Sequence, residues 1–191
     1  MAATPSLLVQ YEVNNRGSTE VVTNRFHFVG GTPANAAAWE AFADAVVAGF
    51  HPVLNAACTI IGAVGYDAAN DVAVFQKTYT QAGTAATGSE SLLPGFCCAL
   101  VRWATDQRTT KNHPIYLFSY VHGVINNGFG ATSATQVQAA QLAALETWAT
   151  HWWETGYSDG TNTYTRAGPN GAAATDSTVD SFVRDHDLHP R

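Results

Sequence analysis

The chain opens with two runs in which apolar and polar side chains alternate. Residues 6–13 alternate around Leu7 and Val9, and residues 20–29 repeat the pattern around Phe28. A period of two is typical of β-strands with one buried face. The Asn, Arg and Gly residues between the two runs favour a turn. The sequence therefore predicts a β-hairpin at its start.

A period near 3.6 replaces the alternation over residues 33–50. Trp39 and Phe42 begin a series of large apolar residues that recur three or four positions apart, which places them on one stripe of a helix. Pro33 stands where a helix tolerates proline, and Thr32 before it is a residue type that caps helices. We predict the first helix over this range.

Further apolar segments predict four more strands and a second helix. The strands cover residues 58–66, 71–79, 96–103 and 115–122, and the helix covers residues 133–154. The third and fourth of these strands are nearly continuous apolar runs, which is typical of strands covered on both faces. We therefore expect the centre of the sheet to lie there, with a polar connection over residues 104–114.

This order of elements predicts an α+β fold. It comprises an antiparallel β-sheet of about six strands, two amphipathic helices packed on a face of the sheet, and an extended C-terminal arm. We expect residues 1–156 to form a single domain. Residues 157–191, which are rich in Gly, Asn, Thr and Ala, would form the arm.

Composition narrows the range of functions. Only 13% of the residues are charged, against roughly 25% in typical soluble domains. Because interface cores are depleted in charge, this deficit fits a subunit covered by its neighbours, although a weakly charged monomer is the alternative. The net charge is −6 and the nine Lys and Arg residues are scattered, so contact with nucleic acid is not favoured.

The cysteines and the lengths of the apolar segments argue against a disulfide-rich, zinc-binding, membrane-spanning or secreted protein. The chain has three cysteines, an odd number without motif spacing, which argues against a disulfide framework or a zinc site. No apolar stretch is long enough for a membrane span, and the first residues lack the pattern of a secretion signal. We expect no cofactor and no metal.

The best cluster of reactive side chains lies in the predicted connection between the two most apolar strands. Arg108 and Lys111 could bind an anion while Asp106 and His113 transfer a proton, if the four side chains converged. A turn between apolar strands must also be polar simply to face water. We therefore interpret these residues as candidates for a subunit contact. A small enzyme or ligand-binding domain with a site near Arg108 and His113 is the alternative.

Two apolar residues are further candidates for a subunit interface. Trp148 and Trp152 share a helix stripe that predicts burial, whereas Trp153 is left to face outward as an interface anchor. Phe182 is a large apolar residue in the arm.

Residues 185–189 contain two His and two Asp, which are ligand types for zinc, but so short a segment does not preorganise a site. A platform of exposed tryptophans that binds glycans remains a third possibility.

Residues 99–120, ALVRWATDQRTTKNHPIYLFSY, resemble a pattern of small coat or structural proteins of environmental viruses, in which a polar basic turn joins two apolar strands. The resemblance implies a virion protein without catalytic residues. We therefore expect a self-assembling structural subunit whose partners are identical copies of itself, in a virion assembled in the host cytoplasm. Residues 1–17 contain only one basic residue, Arg16, whereas many coat proteins package their genome with a basic N-terminal arm. A shell or tail component that does not touch nucleic acid fits better.

Overall fold

The computed structural model describes residues 4–15, 18–54, 58–69, 72–84, 95–104, 110–119, 147–167 and 179–185. Nine strands lie in these ranges: β1 (Ser6–Asn15), β2 (Ser18–Val29), β3 (Cys58–Tyr66), β4 (Ala73–Ala82), β5 (Gly95–Ala104), β6 (Thr110–Ser119), β7 (Tyr157–Ser158), β8 (Thr163–Arg166) and β9 (Val179–Asp185). Helix α1 (Ala36–Phe50) continues into a 3₁₀ turn (His51–Val53). Helical residues 147–150 continue into a π-helical turn (His151–Thr155), and we call these two pieces the second helical segment.

The main sheet has six antiparallel strands in the order β4-β3-β1-β2-β8-β7. Its inner face packs against α1 and the second helical segment, so the predicted α+β fold with a six-stranded antiparallel sheet is confirmed. The N-terminal hairpin is also present, because β1 pairs with β2 along its whole length, from Ser6 opposite His27 to Asn15 opposite Ser18.

The centre of the main sheet differs from the expectation. The two most apolar strands, β5 and β6, belong to a separate three-stranded sheet in the order β6-β5-β9, and the centre of the main sheet is formed by β3, β1 and β2. Leu7, Val9 and Tyr11 of β1 are fully buried there. A continuous apolar run indicates how a strand is covered but not which strands it pairs with, which is why the expectation was wrong.

Helix α1 begins three residues later than its pattern predicts. Asn35, rather than Thr32, is the N-cap: its backbone is extended and its Oδ1 accepts a hydrogen bond from the Ala38 N–H at 3.0 Å. This satisfies one of the N–H groups that a helix start leaves without an intrahelical partner. From there Trp39 and Phe42 begin the buried stripe that faces the sheet.

Aromatic rings fill the space between α1 and the sheet. The ring centroid of Phe28 lies 4.8 Å from that of Phe42 on α1 and 5.3 Å from that of Tyr164 on β8. Phe42 and Tyr164 are 4.7 Å apart, and all three side chains are fully buried. A core residue on β8 therefore joins the helix to the central strands.

The first part of the expected C-terminal arm, residues 157–166, does not extend away from the domain. β7 and β8 extend the main sheet beyond β2, and β9 pairs with β5. Tyr157 packs so closely on α1 that Gly49 has no room for a Cβ atom. Residues 157–166 are thus part of the sheet. Composition missed this because strands of two and four residues are too short to show a period.

None of the helices described in the structure combines the length and the hydropathy that a membrane span requires.

Candidate functional site

The polar cluster predicted between β5 and β6 is only partly described. Arg108 lies outside the described residues. Lys111 and His113 lie on β6, opposite Trp103 and Val101, and not in a connection as expected. The expected connection extended to residue 114, whereas Pro114 lies inside β6. Among the described strands β6 lies at the edge of its sheet, and an edge strand tolerates proline.

Phe182 occupies the other face of the same small sheet. It lies on β9 opposite Leu100, whereas His113 lies opposite Val101. Neighbouring residues of a strand alternate between faces, so the register separates Phe182 from His113 and Lys111.

Trp153 is not the outward-facing anchor that helical spacing predicts. Its side chain is only 4% exposed, and the guanidinium carbon of Arg166 lies 4.1 Å from the centroid of its ring. The cause is the π-helical turn, in which the Gly156 N–H donates to the His151 carbonyl at 2.7 Å. Such a turn holds more residues than an α-helical turn, so Trp152 and Trp153 both reach the core. As a buried core residue, Trp153 is not available as an interface anchor.

A charged cluster joins α1 to the edge strand β4, and we call it the helix–edge cluster. It consists of Glu40, Asp44, Lys77 and Tyr79. The Lys77 ammonium donates to Glu40 at 2.7 Å and to both oxygens of Asp44 at 2.8 and 2.9 Å. The Tyr79 hydroxyl donates to Asp44 at 2.8 Å. Glu40 and Asp44 are four residues apart and so share one side of α1.

Two side chains of the helix–edge cluster, Lys77 and Tyr79, have raised pKa values. Hydrogen bonds to Asp44 and then to Glu40 raise the pKa of Lys77, and burial, followed by the bond to Asp44, raises the pKa of Tyr79. Both groups are therefore protonated at neutral pH. A protonated amine and a protonated phenol are poor nucleophiles and poor bases, so the arrangement suits attachment of the helix to the strand better than catalysis.

A second polar cluster closes the hairpin between β7 and β8. The Asp159 carboxylate accepts hydrogen bonds from the backbone N–H groups of Asn162 and Thr161 at 2.7 and 2.8 Å, and from the Tyr164 hydroxyl at 2.5 Å. These bonds, that of Asn162 first, lower the pKa of Asp159. Burial, followed by the bond to Asp159, raises the pKa of Tyr164 to about 12. The cluster fixes a turn.

Among the described residues, no group of three or more His, Cys, Asp or Glu side chains could hold a metal ion. The histidines of the C-terminal tail, His186 and His189, lie outside the described residues.

The outer face of the main sheet, which is the face opposite α1, carries little charge. Val21 is 58% exposed there and Val74 is 45% exposed, and half-buried Leu8 and Val64 lie between them. The charge of Arg25 is covered locally, since its guanidinium carbon lies 4.5 Å from the centroid of the Tyr66 ring. Among the described elements, α1 packs on the opposite, inner face of the main sheet.

The two edges of the main sheet differ in length. β7 has two residues and leads into the hairpin turn, whereas β4 has ten. Within the described part of the chain, β4 pairs with β3 alone. The candidate functional surface is therefore the outer face together with the β4 edge. The sequence pattern of β4 was recognised as a strand, but its position at the edge was not predicted.

Comparisons of the chain with protein-family models, with curated proteins and with solved structures find no match.

Proposed function

We propose that this chain is a self-assembling structural subunit of a virus particle, that it has no catalytic role, and that its partners are identical copies of itself. The observation that carries the proposal is the outer face of the main sheet, where Val21 and Val74 are exposed and few charges intervene. An antiparallel sheet with one face on the core normally presents polar side chains on the other. An exposed face with apolar residues and little charge is typical of an interaction surface.

Composition supports the same proposal. Charged residues make up 13% of the chain, and mixed surface charges are what normally keep a monomer in solution. Arg25 lies on the outer face, but it is engaged within its own subunit by the Tyr66 ring and by the Ser6 hydroxyl at 2.8 Å. Glu12 lies on the same face, opposite Val21, so a neighbouring copy would have to pair this carboxylate or leave it hydrated, because stripping its water would oppose association.

The association of the purified protein tests the proposal. We expect light scattering to give a mass far above 20.3 kDa, and electron microscopy of the same sample to show uniform particles or filaments. A monomer at high protein concentration, with no assemblies in the images, would overturn the proposal.

A matched pair of variants tests the role of the outer face. Thr23→Lys places a charge on the exposed outer face of β2, and Thr32→Lys makes the same change in the exposed segment before α1. We expect the first variant to raise the concentration needed for assembly by about tenfold or more, because a buried charge would have to lose its water. The second should behave as the wild type. Equal behaviour of the two variants would exclude the outer face as the contact surface.

A further inference from the structure

Among the described strands, the main sheet has one short edge and one long edge without a further pairing strand. An edge strand presents unpaired N–H and C=O groups, and proteins usually protect such edges with short strands, charges, prolines or bulges. The β7 edge is protected by its length, since it has only two residues. The β4 edge has ten residues, Ala73–Ala82, and pairs with β3 alone among the described strands.

Two of the usual protective devices, prolines and free charges, are scarce along β4. Its sequence, AVFQKTYTQA, contains no proline and a single charge, Lys77. That charge is drawn toward α1 by Glu40 and Asp44. The exposed alternate positions from Val74 to Thr80 are all uncharged. The register with β3 shifts twice, beyond Phe75 and between Thr78 and Gln81, and the pairing between these two points, Phe75–Thr78, is regular.

A second copy of the same strand fits this edge. Two β4 strands related by a two-fold axis perpendicular to the sheet run antiparallel, and each outward-facing residue then lies opposite another outward-facing residue. The face that packs on α1 continues in the same way from one copy to the next. A two-fold contact of this kind needs no additional segment of chain.

Charge selects the register of such a pair. An axis through Lys77 would place two ammonium groups directly opposite each other, which is unfavourable. An axis through Thr78 places Thr78 opposite its own copy, and Lys77 opposite Tyr79 of the second copy. Lys77 already lies beside the Tyr79 ring within its own chain, with the ammonium 5.3 Å from the ring centroid. This register also uses the strand from Val74 to Ala82.

We propose that β4 pairs antiparallel with β4 of a second copy about a two-fold axis at Thr78, which joins two main sheets into one continuous sheet. This inference rests on the proposed function, because it names one of the contacts by which the subunit would assemble. Backbone hydrogen bonds along the edge supply the association, and the placement of Lys77 fixes the register.

Cysteine cross-linking tests the register. In Thr78→Cys, two identical side chains face each other with Cβ atoms about 4.5–5.5 Å apart, close to the span of a disulfide. Mild oxidation should give a covalent dimer on a non-reducing gel. Gln76→Cys and Thr80→Cys are matched controls, because each would lie about 13 Å along the strand from its own copy at 3.3 Å per residue. The wild type, with its three cysteines, provides the background.

A second variant tests the edge without a covalent bond. Thr78→Lys places two ammonium groups opposite each other, and Thr32→Lys is again its control. We expect the Thr78 variant to raise the dissociation constant measured by sedimentation by about tenfold or more, with an unchanged thermal melt. Unaltered association of the Thr78 variant would contradict the edge contact.

The outcomes separate this inference from the proposed function. Particles that form equally well in Thr78→Lys, with Thr78→Cys unlinked, overturn the edge contact and leave the structural role standing. Cross-linking at Gln76 or Thr80 instead of Thr78 overturns the register. A Thr78-linked dimer without any larger assembly supports the edge contact and overturns the proposal that the chain is a subunit of a virus particle. A monomeric wild type together with an unlinked Thr78→Cys variant overturns both the edge contact and the self-assembling particle. The β4 edge would then be available only to a strand of a different protein.

Discussion

Tyr164→Ala should show whether β8 is part of the cooperative core. The side chain is fully buried, and its ring centroid lies 4.7 Å from that of Phe42 and 5.3 Å from that of Phe28. Truncating a buried aromatic residue to Ala costs about 3–5 kcal/mol. Tyr164→Phe keeps the ring and removes the hydroxyl that donates to Asp159, a loss of about 1 kcal/mol.

Urea unfolding followed by tryptophan fluorescence measures both changes, at one protein concentration so that association is held constant. With a slope of about 2 kcal/mol per molar urea, the midpoint should fall by about 2 M in Tyr164→Ala and by about 0.5 M in Tyr164→Phe. Thr163→Ala, at the exposed neighbouring position, is the control and should leave the midpoint within about 0.3 M. If Tyr164→Ala behaved like this control, β8 would lie outside the core.

Two further predictions concern packing and acid stability. Gly65→Ala would place a Cβ atom 2.6 Å from the Trp39 ring and should lower stability by about 1–3 kcal/mol in a thermal melt, whereas Gly62→Ala meets ordinary spacing and serves as its control; equal melts would contradict the packing. Asp159 has a folded-state pKa below its usual value, so its contribution is complete above the unfolded pKa of about 3.9 and is lost as the pH falls through the folded pKa. The stability difference between the wild type and Asp159→Asn should therefore shrink between pH 7 and pH 3 in urea titrations, and a constant difference would refute this.

Local patterns predicted the elements of the fold well. The alternation around Leu7 and Val9 identified β1, and the stripe that begins at Trp39 identified α1, because both are set by which side of one element is buried. Helix capping was less predictable: Asn35 displaced Thr32 because a cap depends on where the chain first becomes helical. The partner of a strand was not predictable either, so β5 was wrongly placed in the main sheet.

The candidate surface was also predictable only in part. The sequence pattern predicted the strand β4. The edge position of β4 depends on its pairing with β3, and the spacing of apolar residues does not reveal which strands pair. Trp153 was wrongly placed on the surface because the prediction assumed an α-helical turn. The π-helical turn that buries it is a local departure from that geometry, and the position of Gly156 after the helix signalled only where the helix ends.

The strand order has a consequence for synthesis on the ribosome. β1 to β4 emerge early and can pair with one another, but the far side of β2 waits for β8, which is made only after residues 30–162. At roughly 5–20 residues per second this delay lasts on the order of ten seconds. During it, Phe28 has no Tyr164 to pack against, and the nascent chain exposes an aromatic surface. Chaperone binding to the emerging chain should therefore be strongest in that interval, and should end when Tyr164 leaves the exit tunnel.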